Sequence, residues 1–141
     1  MHFSPHQLVL YPAQATAGGS DLRQCLHRLG FIGAALGDGY YATGEQFLSL
    51  LCFLGCSPDI ELDPHPSKPF CYVQLPPTTE TVTFAFKHKP ALHTTVWVVI
   101  GNIHEAEAVP DTALLDALAA VSGQRWKYAY RFAVLGSDVK G

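Results

Sequence analysis

Val96, Trp97, Val98, Val99 and Ile100 follow one another without a polar residue. Successive side chains of a strand point to opposite faces, so an unbroken apolar run fits a strand covered on both sides. Thr94 to Ile103 is therefore the expected central strand of a sheet, and the rest of the chain has to be arranged around it. At 141 residues there is material for one domain, 1–141, and not for two cores and a linker. A domain of this size buries roughly two thirds of its unfolded surface, so stability requires no disulfide or metal staple.

Gln7 to Tyr11 is a short apolar run stopped by Pro12 and reads as a strand. Ser20 then suits an N-cap, Leu22, Cys25, Leu26 and Leu29 recur at helical spacing, and Gly30 suits the stop. Gly37-Asp38-Gly39 reads as a flexible loop, and the glycine-rich stretch from Gly30 to Gly44 as a hinge or lid. Thr43 and Gln46 form a capping box for a second helix, whose body, Phe47 to Leu54, is apolar on nearly every face before Gly55 and Pro58 stop it. Such a helix belongs in the core or under a partner chain. Asp59 to Asp63 alternates acid and aliphatic, a strand with a wet acidic face. Phe70 to Leu75 and Thr81 to Phe86 are expected to pair as a hairpin across Pro76 to Glu80.

Pro110-Asp111 opens a third helix with the stripe Leu114, Leu115, Leu118 and Val121, and Gly123 closes it. Tyr128, Tyr130, Phe132 and Val134 alternate along a last strand, and residues 136–141 read as a fraying tail. The expected fold is α+β: a mostly antiparallel sheet of about five or six strands with three helices packed on it, in the order β-α-α-β-β-β-β-α-β. Its final β-α-β unit, residues 94–135, reads as a crossover that sets the last strand parallel to the central one.

Charge excludes some functions. Nine Lys and Arg against twelve Asp and Glu give −3, so no basic field exists to hold a phosphate backbone, and nucleic acid is not an expected partner. The aromatic row Tyr128, Tyr130, Phe132 is better read as core, because Lys127 and Arg131 point to the other face. Only 15 % of residues are charged while 48 % are hydrophobic, which excludes disorder and suggests a partly apolar surface. The N-terminus has no positive n-region, and the most apolar window, Phe47 to Cys56, is about half of the ~20 residues that span a bilayer. A cytoplasmic location with no membrane attachment is expected, and with it four reduced cysteines. Protonating all seven histidines carries the formal charge from −3 toward +4, so solubility and self-association should depend on pH.

Two regions carry candidate chemistry. The connection after the central strand holds Asn102, His104, Glu105 and Glu107 beyond a strand's carboxyl end, where α/β units tend to place ligands. His104 would serve as a general base, Glu105 or Glu107 would orient it or bind a cation, and Asn102 would donate to a developing oxyanion. A solvated loop explains the same residues. Cys52 and Cys56, four residues apart, with His88 and His93 and with His65, are the candidate metal ligands, although no C-x-x-C pair or zinc spacing is present. Buried small hydrophobes explain all four cysteines better than a metal site does, Cys25 falling on its helix stripe and Cys71 on the strand face of Val73 and Leu75. Cys56 just past a helix end would have a raised thiol pKa, against an activated nucleophile. There is no G-x-S-x-G elbow, and the glycine-rich stretch lacks a phosphate-loop register.

The leading expectation is a small binding or accessory protein without catalysis, acting through an apolar groove or a self-association surface as a homodimer, with another protein or a small molecule as alternative partner. An acid–base or hydrolytic enzyme using His104 with Glu105 or Glu107, and a metal module using Cys and His, are the rivals. No cofactor is expected, a metal ion being the only candidate.

Overall fold

In the computed structural model, which describes residues 3–14, 21–55 and 60–133, the chain begins with β1 (His6–Pro12), α1 (Leu22–Arg28), β2 (Ile32–Gly37) and β3 (Tyr40–Thr43). One 3-10 turn (Leu48–Leu50) leads into β4 (Leu51–Phe53), followed by β5 (Tyr72–Gln74), β6 (Val82–Phe84), β7 (Leu92–Thr94), β8 (Val98–Gly101) and β9 (Ala108–Pro110). The chain then forms α2 (Thr112–Ser122) and β10 (Trp126–Phe132). Six strands make one antiparallel sheet in the order β10-β1-β8-β5-β3-β2, and the pairs β4-β9 and β6-β7 stand apart from it. Ser20, Cys56, Pro58, Asp59, Val134 and the tail lie outside the described residues.

The expected strand 94–103 is shorter, β8 covering only 98–101 while Thr94 ends β7, but the apolar run 96–100 alternates between faces as its pattern requires. Val96, Val98 and Ile100 join a cluster with Leu22 and Leu26 of α1 and Leu114 and Leu118 of α2. Trp97 and Val99 turn to the opposite face, where Val9, Phe70, Tyr72 and Phe84 pack with them under the β6-β7 hairpin. Both faces are dry, and β8 sits inside the sheet between β1 and β5. The cover differs on the two sides: helices on one, a short β-hairpin on the other. The α2 ends follow from local chemistry, since the Asp111 carboxylate accepts the Ala113 amide at 2.9 Å and Gly123 takes the left-handed conformation at φ 77°.

The described residues hold two helices, not three, because the apolar segment 47–54 is a 3-10 turn and a strand. Periodicity cannot separate a buried strand from a buried helix over so few residues, and eight fall short of the roughly 10–12 that favour a helix. Thr43, its expected cap, belongs to β3, and its hydroxyl donates to the Leu62 carbonyl at 3.2 Å. The segment is not covered all round either: Phe47, Leu50 and Leu51 are buried, while Leu48 and Leu54 are 44 % and 57 % exposed.

The glycine-rich stretch is a hairpin, β2-β3, rather than a hinge. Its turn places Gly37, Asp38 and Gly39 at φ 100°, 54° and 84°, a conformation glycine adopts without strain. The expected hairpin of 70–75 with 81–86 does not form: β5 pairs with β3 and β8, and β6 pairs with β7. Residues 60–63 are not a strand. β10 does run parallel to β8, as a crossover requires, but β1 lies between them and pairs antiparallel with both. No helix among the described residues is long and apolar enough to cross a membrane.

Candidate functional site

Where β8 ends, the chain makes a tight turn that faces the segment leading into β5. Asn102 and Ala106 bracket it with φ 67° and 60°, left-handed values that few residues with a Cβ adopt. The turn is tied down from three sides. The Asn102 and Ile103 amides both donate to the His6 carbonyl, at 2.7 and 3.3 Å, and the Ile103 side chain is buried. The Glu107 carboxylate accepts the backbone amide of His104 at 2.9 Å, and the Glu107 amide donates back to the His104 carbonyl at 3.0 Å. The Leu54 amide donates to the Glu107 carbonyl at 2.9 Å and continues the β4-β9 ladder into the turn.

Between this turn and residues 60–71 lies a cleft of about 270 Å³. Asn102, His104 and Glu107 form one wall, Glu61 and Lys68 the other, Phe53, Ile60 and Pro69 supply apolar surface, and Cys71 also lines it. The Lys68 ammonium pairs with Glu61 at 2.9 Å and holds that carboxyl below its usual range. Burial, helped by the charges of Glu107 and Glu61, pushes the Cys71 thiol up to about 12, against a hydrogen bond from Asn102 that works the other way. At neutral pH that sulfur is a protonated, weakly nucleophilic group.

Three of the four residues expected in the post-strand site thus share one cleft. Glu105 does not line it and is exposed. The His104 ring stacks on the His6 ring, with centroids 3.7 Å apart and planes 22° from parallel, and the edge of Phe132 closes on His6 at 4.9 Å. The candidate metal ligands fall elsewhere: Cys52 is exposed on β4, His88 is exposed beyond β6, and His93 on β7 hydrogen-bonds Thr83 at 2.8 Å. His65 accepts the Ser67 and Lys68 amides and caps its own turn. Among the described residues no three His, Cys, Asp or Glu side chains are grouped to hold a metal ion; Cys56 lies outside them.

Glu61, Lys68 and Cys71 are the cleft residues that sequence reasoning missed. The acidic alternation around Glu61 suggested only a wet strand face, and reading the cysteines as buried hydrophobes gave no sign that Cys71 lines a cavity. A second hollow of about 490 Å³ lies between the end of α1 and β2-β3, but of its polar side chains all except Thr43 (His27, Arg28, Glu45 and Gln46) are exposed.

The stacked histidines predict a pH dependence. Burial lowers the His6 pKa first, the His104 charge adds to that, and Glu107 opposes it. The folded state then binds this proton less well than the unfolded chain, whose histidine titrates near 6.5. The contribution to stability is complete above about 6.5 and is lost as pH falls through the depressed value. Urea midpoints measured from pH 7.5 down to 5 should fall more steeply for the wild type than for His6→Gln. Equal slopes would show that the stack carries no linkage.

No protein-family model, no curated protein and no solved structure matches this chain, so its site has to be read from its own geometry.

Proposed function

We propose that the protein is a binding module without catalysis of its own, and that its site is the cleft between the 102–107 turn and residues 60–71. The observation that carries this reading is the pair of left-handed residues, Asn102 and Ala106, bracketing a turn that aims three polar side chains at a cavity with an apolar wall. Left-handed backbone is tolerated by asparagine but costs energy at Ala106, and such strained residues concentrate at ligand sites. Binding is favoured over the acid–base alternative because the Cys71 thiol stays protonated, the Glu107 carboxylate is engaged in fixing the turn, and His104 stacks on another histidine. The free thiols of Cys25, Cys52 and Cys71 fit a reducing compartment, the cytoplasm.

The test is a set of ¹⁵N correlation spectra recorded with aliphatic amines, alcohols and carboxylates of four to six carbons. Shifts confined to residues 53, 60–61, 68–71 and 102–107 are expected, with every probe recovered unchanged. Chemical conversion of a probe, or shifts scattered over the surface, would overturn the reading.

Self-association is a second reading, favoured by the edge strand β10. The Ala133 amide donates to Pro5 and the Ala13 amide to Arg125, which fixes the odd-numbered residues as those bonded to β1. The backbone groups of Trp126, Tyr128, Tyr130 and Phe132 therefore point outward, where no described strand pairs with them. The strand is continuous in register over seven residues, carries no proline, and ends in Phe132, which is 60 % exposed. Edges of this kind template pairing with a second copy. A dimer mass in native spectra that Phe132→Pro converts to a monomer is expected; a wild-type monomer throughout the micromolar range would sink the idea.

A further inference from the structure

We propose that the ligand of this cleft is a small organic cation, a primary or secondary ammonium on a short apolar body. The inference rests on the cleft being the binding site and adds its chemical preference. Of its two carboxylates, Glu61 pairs with Lys68 at 2.9 Å, whereas Glu107 forms no ion pair among the described residues and acts on His6 only through its charge. Glu107 is half-buried, and one of its oxygens holds the His104 amide. The other oxygen is left to accept an N–H from a ligand, and an ammonium there makes a charge-assisted hydrogen bond.

The field agrees with this geometry. Both Glu107 and Glu61 act on the Cys71 thiol in the direction that negative charge in the cleft would, with Glu107 the larger of the two. The rest of the lining supplies what the remainder of such a ligand needs: Phe53, Ile60 and Pro69 offer apolar surface, and Asn102 beside Glu107 offers an amide. About 270 Å³ lies at the small end of the range of ligand pockets, which suits a body of a few carbons.

The test compares three probes on one skeleton, 3-methylbutylamine, 3-methylbutanol and 3-methylbutanoate, titrated into the full chain and into Glu107→Gln with ¹⁵N spectra as readout. Glutamine keeps an oxygen that accepts the His104 amide, so the turn is retained and the spectrum outside the cleft reports folding. The amine is expected to bind the wild type at least tenfold more tightly than the other two, and Glu107→Gln is expected to erase that preference while leaving the alcohol within twofold. Tighter binding of alcohol or carboxylate in the cleft would overturn the cation class and leave the binding reading standing. Absence of shifts at the cleft with all three would overturn both. Equal weakening of amine and alcohol by Glu107→Gln would show that Glu107 only shapes the turn, and would also overturn the proposal.

Discussion

Replacing Gly101 by alanine should destabilise the protein by about 3 kcal/mol, at the upper end of ordinary overpacking costs. Gly101 stands opposite Gln7 of β1 on one side and Tyr72 of β5 on the other. Because it has no Cβ, the Tyr72 ring lies across β8 and reaches β1, where Gln7 Nε2 donates to its hydroxyl at 2.9 Å. The same hydroxyl donates to the Ser4 carbonyl at 2.9 Å, and Arg131 Nε, opposite Gln7 on β10, donates to Gln7 Oε1 at 2.7 Å. One row of side chains thus links four strands over a glycine. A methyl group at position 101 would come well under 3.0 Å from three atoms of that ring. The ring has nowhere to go, being 1 % exposed and packed against Phe3, Tyr40 and Phe70.

Denaturant unfolding of Gly101→Ala, Tyr72→Leu and the double variant separates the steric from the polar part of this cost. Shortening Tyr72 removes the collision, so the double variant should be at least about 1 kcal/mol more stable than the sum of the single changes. Additivity, or a Gly101→Ala protein within about 0.5 kcal/mol of wild type, would contradict the row as described. The neighbouring Asn102 begins the cleft turn, so the single variant should also shift the amide resonances of residues 102–107.

Some of this is legible in the sequence, and the division has a physical basis. β8 and α2 could be read because their signals are local: an unbroken apolar run between polar segments, and a leucine stripe between Asp111 and Gly123. Strand partners could not. Phe70 to Leu75 and Thr81 to Phe86 are close in sequence and similar in composition, yet β5 is drawn to β8, where Gly101 leaves room for Tyr72. Recognising that requires knowing which residues lie opposite one another. The run 47–54 was ambiguous at its length, and the glycine-rich hairpin has only Ile32 and Thr43 as β-branched residues, at its outer ends, with glycines between them. At the site, the turn wall was visible as polar residues following the central strand. Its other wall was not, since Glu61, Lys68 and Cys71 meet Glu107 only through the fold, across a proline-punctuated segment with no periodic signal.

The two-sided cover of β8 leads to a second large effect. Phe84→Ala should cost about 3 kcal/mol, the low end of the range for emptying a buried phenylalanine site. Phe84 is 2 % exposed, meets the edge of Trp97 at 5.3 Å between ring centroids, and carries the Arg131 guanidinium 4.6 Å above its own ring. It is the fully buried anchor of a hairpin whose strands have three residues each, too few to persist without docking. Removing it should therefore free β6 and β7 from the sheet rather than leave a sealed cavity. Partial relief comes from Trp97 Nε1, a buried donor with no partner among the described residues, which gains access to water once the hairpin lifts. The expected signature is a lower urea midpoint, fast hydrogen exchange at residues 82–84 and 92–94, and red-shifted tryptophan emission, with the α2 amides still protected. The half-buried Phe86, changed to alanine as a control, should cost about 1 kcal/mol or less. If Phe84→Ala leaves the emission and the hairpin exchange unchanged, the hairpin is held by something other than this ring, and the β-side cover of the central strand is not anchored where the packing places it.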